Sequence, residues 1–219
     1  MSKIAIVTGA NGNIGRALVE RLEKECIDCV TVDLNGGVDF QADFTEIKTV
    51  EDACRRISMR IPTVDYLFNV AGIGTYKSID ELGVGEFVDS LNINLISPFI
   101  MTKRLLHLMR KGSVVLNIGS GMGVNPTAFR SAYCTSKFGL RGLSLSLAEE
   151  LKDIDVCLLT LGSVMDSFGT GGLEKRKELE KQGKHYLTVS QVIQEIMDII
   201  NDGYKKPYIR KKEYPFYAL

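Results

Sequence analysis

Tryptophan is absent from this 219-residue sequence, and histidine is scarce: only His107 and His185 occur. The two histidines have no neighbouring cluster of potential ligands, so we expect no metal site. An excess of charge of either sign is also missing, since 27 basic side chains balance 27 acidic ones. Proteins that bind nucleic acid are normally basic, so a net charge of zero argues against that class. The one dense basic cluster, in residues 205–212, is interpreted as a solvated surface.

Long apolar runs are lacking as well, because polar or charged residues interrupt each one before it reaches the roughly 20 residues of a membrane span. The N-terminal residues lead directly into a short apolar run, which predicts a first strand and not a signal peptide. Five cysteines, an odd and scattered set, indicate free thiols and a cytoplasmic protein. Cys26 and Cys29 form a single C-x-x-C pair without a second one, which disfavours a metal or redox site.

Short β-branched runs alternate along the chain with longer stretches of helical pattern. Strands are predicted at 4–7, 30–33, 38–42, 66–70, 113–118 and 156–161, and helices at 13–25, 46–59, 84–109 and 132–152. Apolar strands without strict alternation are typical of a parallel sheet buried on both faces. We therefore predict an α/β fold, a Rossmann-type doubly wound parallel sheet flanked by helices, in a single domain over residues 1–219. Only residues 34–37 separate the second and third strands, so the chain must turn there without a crossover helix.

A glycine-rich turn, Thr-Gly-Ala-Asn-Gly-Asn-Ile-Gly at residues 8–15, follows the first predicted strand and precedes the first helix. Glycines in this setting permit a tight turn and let the backbone approach a pyrophosphate, which the helix N-terminus then binds. Asp33 ends the second strand, where a carboxylate accepts both ribose hydroxyls and repels a 2′-phosphate. Leu34, and no arginine, follows it. The pattern predicts a dinucleotide site with NAD preferred over NADP.

Tyr133 and Lys137 lie four residues apart at the start of a predicted helix, so they share one face. An ammonium beside a phenol favours the phenolate, and we therefore expect Lys137 to lower the pKa of Tyr133 from about 10. A tyrosine tuned in this way exchanges a proton with a substrate oxygen near neutral pH. Taken alone, a Tyr-x-x-x-Lys pair is more often a solvated helix face. Ser120, at the end of an apolar run, is a second candidate for the same site.

These features together resemble the short-chain dehydrogenase/reductase family, in its short single-domain branch. The resemblance covers residues 4 to about 166 and also includes Asp43, an Asn-Val-Ala-Gly segment at 69–72, Asn94, and Leu-Gly at 161–162 with Asp166. It implies an oxidoreductase that transfers a hydride between nicotinamide and a carbonyl or secondary alcohol substrate. The implied catalytic residues are Asn94, Ser120, Tyr133 and Lys137.

The resemblance also implies residue roles. Tyr133 would be the general acid/base, Ser120 would hold the substrate oxygen, and Lys137 would bind the nicotinamide ribose. Asn94 would position a water, and Pro98, four residues on, leaves its carbonyl without an N–H partner and predicts a kink. The kink has an equally acceptable explanation, a bend of the long helix around the core. The implied cofactor-binding set is Gly9, Asn11, Gly12, Asn13, Ile14, Gly15, Asp33, Asp43, Phe44, Asn69, Ala71, Gly72, Tyr133, Lys137, Gly162 and Val164.

A substrate lid is expected near residues 163–186, with Gly169, Gly171 and Gly172 as hinges and Met165, Phe168 and Tyr186 as apolar contacts. Family members commonly pair the two helices that correspond to 84–109 and 132–151, which predicts a homodimer or homotetramer. Apart from such copies, the expected partner is a small-molecule carbonyl or alcohol, with no nucleic acid and no membrane.

Three departures from the family pattern leave alternatives open. Asn13 stands where the short branch usually has its second glycine, and glycines 9, 12 and 15 match the spacing of the epimerase/dehydratase branch. Leu161 stands where a proline is common, and the tail at 204–219 is unfamiliar. One alternative is therefore a nucleotide-sugar epimerase or dehydratase. The other is an NAD(H)-binding regulatory protein without turnover.

Overall fold

In the part of the chain that the structure describes, seven parallel strands form one sheet in the order β3-β2-β1-β4-β5-β6-β7. The structure, a computed structural model, describes residues 2–169, 172–201 and 213–216. The strands are β1 (Ile4–Thr8), β2 (Asp28–Asp33), β3 (Phe40–Gln41), β4 (Val64–Asn69), β5 (Met109–Ser120), β6 (Asp155–Leu161) and β7 (Glu213–Phe216). The α-helices are α1 (Asn13–Lys24), α2 (Ile47–Arg60), α3 (Val84–Leu91), α4 (Ser97–Leu105), α5 (Ser131–Glu150), α6 (Gly172–Lys181) and α7 (Val189–Asn201). The predicted Rossmann-type α/β fold is confirmed.

Helices cover both faces of the sheet and enclose two apolar layers. On one face, α1 and α7 pack against residues such as Val7, Phe68 and Leu116. On the other, α2, α4 and the end of α5 bury Ile6, Leu67 and others. The strand order reverses between β1 and β4, so their carboxyl ends open a crevice, which is where ligands bind in sheets of this kind. None of the described helices combines the length and apolarity needed to cross a bilayer.

The predicted helix 84–109 consists of several pieces. A π-helical turn, Asn92–Ile96, separates α3 from α4, and Pro98 lies in the first turn of α4. A 3₁₀ turn, Leu106–Leu108, follows, and Met109 already begins β5. The interruption falls at the level of Asn94, where the sequence predicts a kink, because a proline in the next turn removes a backbone donor.

The link between β2 and β3 contains no helix, as the sequence predicts. The two strands are parallel neighbours, with Val32 opposite Phe40, and only residues 34–39 connect them. Asp39 holds the end of this link beside β2, since its Oδ2 accepts hydrogen bonds from Thr31 N at 3.0 Å and Thr31 Oγ1 at 2.9 Å.

Two elements at the end of the chain do not appear among the predicted ones. Helix α7 buries one face, and the signal for it was an apolar spacing of three and four residues, as at Ile193, Ile196 and Ile200. Strand β7 pairs with β6, with Thr160 opposite Pro215. The basic cluster in 205–212, the hinge candidate Gly171 and the rest of the tail lie outside the described residues.

Candidate active site

A cavity of about 900 Å³ opens at the carboxyl ends of β1, β4, β5 and β6. The glycine-rich turn and Asp33 line one end of it, and Ser120, Tyr133, Lys137 and the segment after β6 line the other. The topology thus gathers motifs that are far apart in the sequence. Among the described residues, no three His, Cys, Asp or Glu side chains come together as a metal site.

The glycine-rich turn is too tight for side chains. Gly9 has φ +67°, and a Cβ on it would lie 2.7 Å from Ala71 Cα. A Cβ on Gly15 would lie 2.1 Å from the Gly9 carbonyl oxygen, so the first turn of α1 packs directly on the loop. Gly12 is the N-cap of α1, and both Gly12 and Asn13 line the cavity. This bare helix N-terminus fits the diphosphate of a dinucleotide.

Two carboxylates mark the adjoining end of the cavity. Asp33 is 7% exposed, and its oxygens accept hydrogen bonds from Asn11 N and Asn35 N, both at 3.0 Å. Asp43 Oδ1 accepts from Thr45 N at 2.9 Å and Thr45 Oγ1 at 2.7 Å. These backbone and hydroxyl donors fix both carboxylates in place. The placement of Asp33 after β2 fits recognition of a ribose.

Three of the four predicted catalytic side chains, Ser120, Tyr133 and Lys137, meet at the other end. Tyr133 and Lys137, on the first turns of α5, are 6% and 5% exposed. The Tyr133 hydroxyl is hydrogen-bonded to the Ser120 side chain, which stands at the end of β5. Lys137 Nζ donates to the Ile118 carbonyl at 2.8 Å and lies 5.8 Å from the centre of the Tyr133 ring. The carboxyl-end geometry of the sheet therefore brings all three to one wall of the cavity.

The expected direction of the Tyr133 pKa is wrong for the protein without ligands. Burial raises the pKa of Tyr133 above its ordinary value of about 10, and the hydrogen bond from Ser120 opposes this shift only in part. Burial also lowers the pKa of Lys137 from 10.5 to about 8. Desolvation acts on both groups, and the ammonium interacts with the Ile118 carbonyl more closely than with the phenol. Removal from water, which the sequence pattern does not reveal, outweighs the attraction between the two groups.

Asn94 acts as a buried crosslink between two walls of the site. Its Oδ1 accepts from Ile73 N at 2.9 Å, and its Nδ2 donates to the Ile73 carbonyl and to Ser136 Oγ, both at 3.0 Å. Ser136 Oγ in turn donates to the Tyr133 carbonyl at 2.8 Å. The loop after β4 and the first turn of α5 are therefore held in a fixed relation. The water-positioning role of Asn94 stays a prediction.

Most of the predicted cofactor-binding residues line the cavity: Gly9, Asn11, Gly12, Asn13, Ile14, Gly15, Asp33, Asp43, Phe44, Ala71, Gly72, Tyr133, Lys137, Gly162 and Val164. Asn69 does not. It is 3% exposed, and its Nδ2 donates to Asn117 Oδ1 on the neighbouring strand at 2.7 Å. Because the two asparagines are opposite each other in the β4–β5 register, the amide serves the sheet and not the cavity.

The segment after β6 and α6, where a lid is predicted, line one side of the cavity. The Arg176 side chain binds the Val164 and Phe168 carbonyls and the Asp166 carboxylate, which fastens α6 to the loop below it. Phe168 and Tyr186 line the cavity as expected, whereas Met165 is not among the lining residues. Gly169 has φ +77°, a conformation that favours glycine, and a Cβ on it would lie 2.6 Å from the Tyr76 ring. Its role as a hinge stays a prediction.

Sequence reasoning missed an aromatic and cationic wall beside Tyr133. The ring of Tyr76 contacts Tyr133 edge to face, with centroids 5.6 Å apart, and the Phe168 ring lies 6.0 Å away. The guanidinium carbon of Arg130 lies 4.2 Å from the centre of the Tyr76 ring. The only available signal was sequence proximity, since Arg130 directly precedes α5 and Tyr76 follows the Asn-Val-Ala-Gly segment.

Comparison with known proteins supports the family resemblance that the sequence motifs indicate. Residues 3–170 match the family profile described as short chain dehydrogenase, which confirms the resemblance given by the motifs. An uncharacterized oxidoreductase of Schizosaccharomyces pombe is 27% identical over 187 residues, covering 78% of this chain and 64% of that protein. The chain therefore spans slightly less than two thirds of that relative's length.

Solved structures share the fold over nearly the whole chain. A blue fluorescent protein from a metagenomic library, in complex with NADPH, aligns with a TM-score of 0.83 at 22% identity, over 99% of this chain and 96% of that one. A 4-hydroxyisoleucine dehydrogenase complexed with NADH also gives a TM-score of 0.83, at 20% identity, over 99% of this chain and 97% of that one.

Proposed function

The chain belongs to the short-chain dehydrogenase/reductase family of oxidoreductases, and on that premise we propose that it interconverts a carbonyl compound and a secondary alcohol, with Tyr133 as general acid/base. The observation that carries this proposal is the meeting of Ser120, Tyr133 and Lys137 on one wall of a cavity whose opposite end is a glycine cradle. A nicotinamide dinucleotide, when bound, supplies or accepts the hydride of such a reaction.

We propose NAD as the preferred dinucleotide, and Asp33 is the reason. Its buried carboxylate stands where a 2′-phosphate would bring two further negative charges, and Leu34 offers no positive charge to offset them. The structural neighbours do not decide the matter, because one is complexed with NADPH and another with NADH. Gly9, Gly12 and Gly15 would hold the diphosphate, and Asp33 the adenosine ribose.

Each side chain of the catalytic wall has a distinct part. Tyr133 gives its hydroxyl proton to the carbonyl oxygen in reduction and takes it back from the alcohol in oxidation. Ser120 donates a hydrogen bond to the same oxygen, where negative charge develops. Lys137 is fixed by the Ile118 carbonyl beside Gly72, near enough to orient a ribose hydroxyl and to relay the proton. Burial raises the pKa of Tyr133, so the phenol holds the proton that it would donate in reduction.

The test is turnover of NADH with a panel of ketones and aldehydes, and of NAD with secondary alcohols. We expect Tyr133→Phe to lower kcat by about 10² to 10⁴-fold, the usual contribution of a general acid, and to leave the Kd for NADH within twofold. Tyr66→Phe is the matched control, since Tyr66 does not line the cavity and its hydroxyl accepts a hydrogen bond from Lys3. Equal NADH binding by wild type and Tyr133→Phe with no turnover by either would favour a dinucleotide-binding regulator.

A further inference from the structure

Charge is distributed unequally along the cavity. Its adenosine end carries the carboxylates of Asp33 and Asp43. Beyond the catalytic wall the lining contains four cationic residues, Arg130, Lys175, Arg176 and Lys184, and one carboxylate, Asp166. Asp166 is already engaged by Arg176 in a largely buried ion pair. The substrate end therefore carries more positive than negative charge. Of the three cations that are not paired with Asp166, Arg130 is partly buried, whereas Lys175 and Lys184 are exposed.

The Arg130 side chain is held in a position that suits the binding of an anion. Its guanidinium stacks on the Tyr76 ring at 4.2 Å, and its Nη1 donates to Met122 Sδ at 3.4 Å. Within residues 2–169 and 172–201, no carboxylate lies within ion-pairing distance of it. Stacking uses the face of a guanidinium and leaves the N–H donors in its plane for a carboxylate, which they bind in bidentate fashion. A half-buried cation without an anionic partner is costly, and a substrate carboxylate would remove that cost.

Arg130 also lies at a useful distance from the proton donor. The Tyr76 ring separates it from Tyr133, at 4.2 Å from the guanidinium and 5.6 Å from the Tyr133 ring. The positive charge acts on the phenol, since it is one of the groups that lower the Tyr133 pKa against the effect of burial. Both groups line the same cavity, so one substrate can reach Arg130 with a carboxylate and Tyr133 with a carbonyl oxygen.

We propose that the substrates of this site are oxo acids and the corresponding hydroxy acids, whose carboxylate binds Arg130 while the carbonyl or hydroxyl oxygen binds Tyr133 and Ser120. This inference rests on the proposed function. Arg130 does not serve the dinucleotide phosphates, because its contacts, Tyr76 and Met122, follow β4 and β5, whereas the phosphate cradle follows β1. Tyr76 acts as a positioning residue that holds the guanidinium.

The experiment compares each acid with its methyl ester: pyruvate, acetoacetate and 4-oxopentanoate against the three esters, with NADH. For the best acid we expect kcat/KM at least tenfold above that of its ester. Arg130→Gln should lower kcat/KM for the acid at least tenfold more than for its ester, mainly through KM, because only the acid loses its ion pair. Arg130→Lys should fall between, because it keeps the charge and loses the bidentate geometry. Arg110→Gln is the control, since Arg110 is exposed and pairs with Asp65.

The outcomes separate the two proposals. If esters are reduced as well as acids, or if Arg130→Gln affects both alike, the oxo-acid inference is overturned and the oxidoreductase proposal stands. If no compound is turned over, the oxidoreductase proposal fails. The inference is then decided by calorimetric titration of acetoacetate into the NADH-saturated protein. Binding that Arg130→Gln weakens at least tenfold supports it, and binding that is absent or unaffected by the substitution overturns it.

Discussion

Asn13 Nδ2 donates a hydrogen bond to Ser167 Oγ at 3.0 Å, between residues 154 positions apart in the chain. Asn13 is the first residue of α1, in the glycine-rich turn, and Ser167 lies in the loop between β6 and α6. Both line the cavity. The family usually has a glycine at the position of Asn13, so this side chain provides a direct tie between the phosphate cradle and the lid.

The hydrogen bond between Asn13 and Ser167 should hold the loop after β6 against the glycine-rich turn. We expect Ser167→Ala to speed amide hydrogen exchange in residues 163–168 several-fold, because the loop loses a hydrogen bond worth about 1 kcal/mol. Ser163→Ala is the matched control, since that serine is exposed in the same loop. Exchange that is equally fast in the two variants would show that Arg176 alone fastens the lid.

Lys137 should make stability depend on pH. Its pKa is about 8 in the folded protein and near 10.5 unfolded, so only the unfolded chain holds the proton between these values. Stability therefore rises with pH across that window and is unaffected by this group below it. Relative to Lys137→Met, the free energy of unfolding of the wild type should gain about 3 kcal/mol between pH 8 and 10.5. Urea titrations of both proteins measure the difference, and a constant difference would contradict the assignment.

Asp33 should decide between the two dinucleotides. Asp33→Asn keeps the shape and removes the charge that repels a 2′-phosphate. We expect the ratio of the Kd values for NADPH and NADH to fall at least tenfold, mainly through tighter NADPH binding. Fluorescence titration measures both constants. Asp28→Asn, which changes an exposed residue at the start of β2, is the control and should leave the ratio unchanged. A ratio in Asp33→Asn equal to that of the wild type would show that Asp33 does not select between the dinucleotides.

We propose that the chain forms a homodimer or homotetramer through α3, α4 and α5. Exposed apolar side chains lie on each of these helices: Val88 at 44%, Phe99 at 40% and Phe138 at 42%. Burying such a surface is favourable, and a carboxylate within it is not. Phe138→Glu should therefore yield monomers in sedimentation velocity at micromolar concentration. Met59→Glu, which alters an exposed residue of α2, should leave the assembly intact; if both variants match the wild type, α5 is not in the interface.

The sequence predicts what depends on neighbours in the chain. The glycine turn, Asp33 and the Tyr133–Lys137 pair were recognisable because each has a fixed local spacing on a strand, turn or helix. Parallel pairing then brings them together without further information. The interrupted helix at Asn94 was also predictable, because Pro98 has a local effect on the backbone.

What escaped prediction depends on contacts between distant segments. The stacking of Arg130 on Tyr76 joins two loops, and nothing in either loop specifies the other. The direction of the Tyr133 pKa follows from its burial, which the neighbouring Tyr76 and Phe168 help to create. Asn69 does not line the cavity, and its hydrogen bond to Asn117 could not be predicted, because it joins residues 48 positions apart in the chain.

The π-helical turn at Asn92–Ile96 determines which way the rest of its helix faces. Such a turn accommodates one residue more than an α-helical turn, which is equivalent to a rotation of about 100° for everything that follows. Before it, α3 contacts α5, and after it, α4 contacts α2 and buries Met101 and Leu105. Deleting a single residue there would rotate the following segment back and turn those two side chains away from the core. The number of residues in this turn therefore determines which side chains of α4 are buried.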